Sequence, residues 1–245
     1  MAQTTAATPN ISDASRRAKG IVSWWRSHWR AWWYRLLYWP TGFVAFLLWR
    51  YRSYGRHLVP HRGGLLVIAN HQSFLDPPLV GLAVVRRLTY LARRTLFKHR
   101  WFAWLIDSLG AVPIDEEGRG AEGLKTALQL LQHGHAVVVF PEGSRTPDGQ
   151  VHEFKPGLLL LLRRAQVPIL PVGLAGAYQA LPIHRSWPRF SPCFLPPNDN
   201  AIAVVVGRPI SWAHVQRLPK EEMLAFLHRT VCELHQQAEK LRKKG

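Results

Sequence analysis

From Gly63 onward, short apolar runs recur along the chain with helical patterns between them. Leu65 to Ala69, Leu88 to Ala92, Ala111 to Ile114, Ala136 to Phe140, Ile169 to Leu174 and Ile202 to Val206 are of strand length and built largely from Val, Ile, Leu and Ala. Unbroken apolar runs of this kind belong to strands covered on both faces. Between them, Pro77 to Val85, Phe97 to Leu109, Glu122 to Gln132 and Gly157 to Ala165 carry patterns that fit helices. The alternation predicts an α/β fold with a largely parallel or mixed central sheet flanked by helices. Pro182 to Asn200 is rich in proline and reads as a loop. A final helix places Leu224, Leu227, Val231, Leu234, Ala238 and Leu241 on one stripe, with a Lys/Arg-rich last turn that suits its dipole.

Ahead of Gly63 the pattern changes. Trp25, Trp29, Trp32, Leu36 and Trp39 recur at steps of four and three, which gathers them on one helical face, and Arg26 and Arg30 fall away from it. Such a face suits the headgroup layer of a membrane, where an indole sits at the apolar boundary while its N–H still reaches water. The same face would also serve for packing on the protein's own core. Leu36 to Trp49 is free of charge, but as a helix it measures roughly 21 Å against about 30 Å of hydrocarbon. Pro40-Thr41-Gly42 predicts a break within it. The expected organisation is a disordered basic tail over 1–20, an interfacial helical hairpin over 21–56 and one catalytic domain over 57–245. Arg35 and Arg50, able to snorkel, keep a single span in play, but a monotopic anchor on the cytoplasmic face fits better.

Charge supports the same division. The 245 residues carry a formal net charge of +17, which calls for a polyanionic surrounding such as nucleic acid, anionic lipid or a phosphorylated substrate. Asp13 is the one acidic residue up to Pro60, whereas Arg16, Arg17, Lys19, Arg26, Arg30, Arg35, Arg50, Arg52 and Arg56 are basic. Their interleaving with tryptophan favours an anionic membrane surface and not nucleic acid. Cys193 and Cys232 have no ligand-spaced partners, and His57 and His61 lie in a loop without nearby acidic or thiol ligands, so no disulfide framework and no metal site is expected. The polar first twenty residues lack the apolar run of a secretory signal.

Two motifs carry chemistry. Asn70-His71-Gln72-Ser73-Phe74-Leu75-Asp76 follows the first strand and sets an imidazole five residues before a carboxylate. A histidine can take a proton from an attacking hydroxyl near neutral pH, and a carboxylate on its other ring nitrogen fixes the tautomer and steadies the cation. Read alone, Asp76 would equally cap a helix opening at Pro77. Phe140-Pro141-Glu142-Gly143-Ser144-Arg145 follows the Ala136–Val139 run in the same way. Its guanidinium can grip a phosphate bidentately and its carboxylate can orient a hydroxyl, although a solvated turn would look similar.

Taken together, in this order and about 70 residues apart, the motifs resemble those of the lysophosphatidic acid acyltransferase family, in which a His-x-x-x-x-Asp block precedes a Phe-Pro-Glu-Gly-Ser/Thr-Arg block. Gly110-Ala111-Val112-Pro113-Ile114-Asp115 is similar to the family's second block, Val167-Pro168-Ile169-Leu170-Pro171-Val172 to its fourth, and Phe154-Lys155-Pro156-Gly157 to its Phe-Lys-x-Gly. The family usually has an arginine after the aspartate of the second block, where this chain has Glu116 and Glu117 before Arg119. It often has Lys-x-Glu where this chain has Arg93 and Thr95. The resemblance implies O-acyl transfer from acyl-CoA or acyl-carrier protein, as co-substrate and with no cofactor, to a lysophospholipid, with lysophosphatidic acid giving phosphatidic acid. It gives the general base to His71 and its orientation to Asp76. Glu142, Gly143 and Ser144 would order the glycerol, and Arg145 with Arg93, Arg94, Lys98, Arg119 and Lys155 would supply the phosphate contacts. Acylation of glycerol-3-phosphate or another lysolipid, and a non-catalytic basic binding module, are the competing readings. A serine hydrolase is disfavoured because no Gly-x-Ser-x-Gly elbow occurs.

Overall fold

A computed structural model describes residues 28–93, 110–114 and 121–244, together with the single positions 97, 103 and 106. The chain enters through helix α1 (His28–Trp49) and edge strand β1 (Arg52–Tyr54). It then alternates through β2 (Leu65–Ala69), α2 (Asp76–Ala83), β3 (Leu88–Arg93), β4 (Ala111–Ile114), α3 (Ala121–Gln132), β5 (Ala136–Val139), α4 (Gly157–Ala165) and β6 (Ile169–Ala175). The short α5 (Ala177–Ala180), β7 (Ala203–Val206), α6 (Trp212–Val215) and the long α7 (Lys220–Lys243) complete it. The strands form one sheet in the order β1-β7-β6-β2-β5-β3-β4. Every pairing is parallel except β6 with β7, so the sheet is mixed, as the alternating pattern predicts.

β2 is the centre, and all five of its residues are buried. Leu65, Val67 and Ala69 face one side, where Leu79, Val80 and Ala83 of α2 and Ala45 and Trp49 of α1 cover them. Leu66 and Ile68 face the other, under Leu130 and Leu131 of α3, Leu158 and Leu162 of α4, and Leu227 and Val231 of α7. The strand's period of two thus feeds two apolar layers at once. The expected strands and the helices at 77–85, 122–132, 157–165 and the C-terminus all form. The helix expected over 97–109 lies outside the described residues apart from single positions.

One expectation fails. No helical hairpin turns at Pro40: α1 runs unbroken from His28 to Trp49 with Pro40 inside it. A proline removes one hydrogen bond to the carbonyl four residues back. Here that carbonyl belongs to Leu36, and both Leu36 and Pro40 are exposed, so water can replace the bond. The turns beyond Pro40 are held from outside. Ala45 and Trp49 pack into the core, the Tyr38 hydroxyl donates to the Leu82 carbonyl at 2.8 Å, and the Trp49 indole N–H donates to the Arg189 carbonyl at 2.8 Å. The opposite face of α1 shows Leu36, Trp39, Phe43, Val44 and Phe46 to solvent. Leu36 and Trp39 of the expected stripe are therefore outward. Trp25 and the side chains of Trp29 and Trp32 lie outside the described residues, as does the tail over 1–20. Among the described residues no helix is long and apolar enough to cross a membrane.

Gly173 of β6 lets α7 press against the sheet, because a Cβ there would fall on the backbone of Leu234 and His235. Neither neighbour is a flexible side-chain end that can swing away. Gly173→Ala should therefore lower stability by about 2 kcal/mol or more, the cost of overpacking a filled site, measured as a lower urea midpoint at unchanged m.

Candidate active site

β2 and β5 are adjacent and parallel, with Ile68 opposite Val139, so the turns that follow them open at the same edge of the sheet. That pairing brings His71 and Glu142 together although they are distant in the chain. Ligands in open α/β sheets bind beyond the carboxyl ends of the strands for this reason.

Asp76 is the first residue of α2 and is fully buried. One carboxylate oxygen accepts from His71 Nδ1 at 2.7 Å, from the Ser73 N–H at 2.7 Å and from the Gln72 N–H. Two adjacent backbone donors and the helix N-terminus favour its charged form. Burial leaves its pKa raised above the ordinary carboxylate range, although the His71 ring and the Ser73 and Gln72 N–H groups offset part of that rise. Because Nδ1–H of His71 points to Asp76, Nε2 is left with the acceptor lone pair, which is the arrangement a general base needs. The imidazole lies stacked on Phe140, with ring centroids 4.2 Å apart and planes at 19°, and remains one-fifth exposed. It is held on two sides and still reachable.

The neighbours of His71 in the sequence are anchors. Asn70, buried at the end of β2, receives the Leu174 N–H at 2.8 Å and donates to the Leu174 carbonyl at 2.9 Å. Gln72 donates to the Gly149 carbonyl at 2.9 Å, and Ser73 donates to the Leu181 carbonyl at 2.8 Å. Three polar side chains thereby fasten the base to β6 and to two loops. Sequence reasoning leaves them without a role, although a polar cluster at the mouth of a buried strand is a signal that such groups find partners.

Glu142, expected to order the acceptor's glycerol, has each of its oxygens bonded to a main-chain donor. It is buried at 5% exposure, with one oxygen accepting the His71 backbone N–H at 2.8 Å and the other the His152 N–H at 3.2 Å. Glu142 thereby ties the second turn to the turn that carries His71. Gly143 has φ +75°, a left-handed conformation natural to glycine, and a Cβ there would come within 2.6 Å of Lys155 Nζ. Lys155 thus lies along this turn. Ser144 is exposed beside it, and the Arg145 guanidinium sits 3.6 Å from the centre of the Phe74 ring, a cation–π contact linking the two motifs again. Arg93 ends β3 at the same edge of the sheet, since β3 runs parallel to β5. Its side chain lies outside the described residues, as do Arg94, Lys98 and Arg119.

Burial raises the Glu142 pKa to about 6, against the lowering by its backbone N–H partners. A folded-state value above the unfolded one means the native chain binds the proton more tightly. The residue's contribution to stability is then present at low pH and is lost as pH rises through about 6. Glu142→Gln abolishes this titration and sets an amide N–H against a backbone donor. Wild-type stability relative to the variant should decline by on the order of 1–2 kcal/mol between about pH 4.5 and 6.5 in urea titrations, and the variant should turn over more slowly.

Comparison with known proteins agrees with this geometry. Residues 50–175 match the Acyltransferase family model. The 1-acyl-sn-glycerol-3-phosphate acyltransferase of Bacillus subtilis is 23% identical over 177 residues, covering 72% of this chain and 81% of that protein. A probable 1-acyl-sn-glycerol-3-phosphate acyltransferase of Mycoplasma genitalium is 38% identical, over 46% of this chain and 44% of its own length. The crystal structure of the 1-acyl-sn-glycerophosphate (LPA) acyltransferase PlsC from Thermotoga maritima superposes with a TM-score of 0.64 at 28% identity, covering 80% of this chain and 73% of that one. With a family match spanning both motif-bearing turns and a shared sheet architecture, the chain belongs to the acyltransferase family, alongside the 1-acyl-sn-glycerol-3-phosphate acyltransferases.

Proposed function

We propose that the chain acylates the free hydroxyl of a membrane lysophospholipid, lysophosphatidic acid first, using acyl-CoA or acyl-carrier protein as donor and forming phosphatidic acid. The observation that carries the reading is the His71–Asp76 pair, bonded at 2.7 Å and standing beside the Arg145 turn. His71 Nε2 takes the hydroxyl proton as the oxygen attacks the thioester carbonyl, and Asp76 stabilises the imidazolium. Collapse of the tetrahedral intermediate forms the ester and expels the thiolate, which recovers the proton from His71. The acceptor oxygen is itself the nucleophile, so no acyl-enzyme forms. Arg145 and Lys155 hold the phosphate, assisted by Arg93, Arg94, Lys98 and Arg119, and the stacked Phe74 keeps the guanidinium of Arg145 flat against the site.

The lysophospholipid acceptor of this reaction sits in a bilayer. The outward apolar face of α1 and the excess of basic over acidic residues before Pro60 support seating on an anionic membrane surface, with cytoplasmic donors reaching the open edge of the sheet.

His71→Ala should reduce turnover roughly a hundred- to ten-thousand-fold while the urea midpoint stays close to wild type; near-normal acyl transfer by the folded variant would falsify the assignment. Arg145→Lys keeps the charge but loses the planar fork and its stacking. The acceptor KM should rise by an amount on the order of 1–3 kcal/mol, with the donor KM little changed. A rise confined to the donor would instead place Arg145 on the thioester side.

A further inference from the structure

The loop between α5 and β7 carries apolar side chains to which the His71–Asp76 chemistry assigns no role. Ile183, Trp187, Phe190, Phe194 and Leu195 are all exposed, Trp187 by 81% and Phe194 by 73%. Single exposed hydrophobic residues are ordinary, but this density within one short loop is characteristic of an interaction surface. The loop is also fixed in place. Its Ser191 and Cys193 N–H groups donate to the Leu48 and Leu47 carbonyls of α1 at 2.8 and 3.0 Å. The Arg50 guanidinium donates to the carbonyls of Pro192, Cys193 and Leu195, and the Phe190 ring lies 5.5 Å from that of Trp49. The loop is thus fastened to the last turn of the helix whose outward face shows Phe43, Val44 and Phe46.

We propose that residues 183–195 form a second membrane-contacting element, seated in the headgroup layer of an anionic bilayer beside α1. Three observations select lipid as the occupant. The loop adjoins the exposed apolar face of α1 through direct hydrogen bonds. From Phe154 to Asn198 there is no acidic residue, while Arg185 and Arg189 lie within or at the edge of the apolar cluster, so the charge complements anionic headgroups. Its most exposed side chain is a tryptophan, the residue type suited to the membrane–water boundary. The carbonyls gathered by Arg50 are already satisfied, so the loop can approach the bilayer without carrying them in bare. This inference rests on the reading of α1 as membrane-facing.

The test uses the full chain with Cys193→Ser, Cys232→Ser and Trp187→Cys, labelled at position 187 with an environment-sensitive dye. Phosphatidylcholine vesicles containing phosphatidylglycerol should shift the dye to the blue, and lipids brominated near the headgroup end of the acyl chains should quench it. Vesicles of phosphatidylcholine alone should do much less. In flotation, Trp187→Ser with Phe194→Ser should weaken vesicle binding roughly ten- to a hundred-fold and leave activity on detergent-dispersed substrate unchanged. If that variant floats like wild type and the dye does not respond, while Trp39→Ser with Phe43→Ser abolishes flotation, the loop proposal is overturned and the α1 reading stands. If wild type does not float, both fall. A dye already blue-shifted in buffer and unmoved by vesicles would place the loop under residues preceding His28. A shift driven by protein concentration alone would place it against a second copy. Either result overturns the proposal.

Discussion

The hydrogen bond from the His71 backbone N–H to Glu142 joins turns 71 positions apart in the chain, and the rest of the site depends on it. It exists because β2 and β5 pair in parallel and end level with each other. Once the turns meet, Thr146 adds a backbone bond to the His71 carbonyl at 2.8 Å, Phe140 comes under the imidazole and Arg145 comes over Phe74. His71, Asp76 and Arg145 are thus held in one assembly closed by backbone bonds. A buried carboxylate serving two main-chain donors is a stronger tie than a neutral bond would be, and leaving it unmade is costly.

Asp76 shows how local structure and chemistry share one residue. As the first residue of α2, followed by Pro77 and Pro78, it sits at the positive end of the helix, while the N–H groups that its carboxylate accepts are those of Gln72 and Ser73 in the preceding turn. Its carboxylate therefore orders the turn that carries His71 and makes no side-chain cap on the helix that begins with it. Its remaining oxygen is buried without a partner among the described residues. That loads the carboxylate's hydrogen bonding onto the oxygen facing His71.

Much of this was legible in the chain. The apolar runs at 65–69 and 136–139 mark buried parallel strands because nothing polar interrupts them, and the order of the two motifs then implies that their turns share an edge. Three things were hidden. Arg52-Ser53-Tyr54 is too short and too polar to announce a strand, and it pairs with β7 only because α1 delivers it there. The role of Glu142 depends on which donors fold toward it, and residue type does not carry that information. Pro40 and Gly42 carry a strong local signal for a break, but packing beyond them outweighs one missing hydrogen bond.

The connection between α1 and the sheet consists of Arg50 and Tyr51 alone. Arg50 takes the left-handed turn at φ 50° with its guanidinium bound to the neighbouring loop, and the Tyr51 hydroxyl is bonded to the Leu79 carbonyl of α2 at 2.8 Å. A link so short and so tethered leaves no room for a hinge. α1 and the helix that begins with Asp76 are therefore joined as arms of one bracket, and the separation of His71 from the outward face of α1 follows from how the two helices are fastened together.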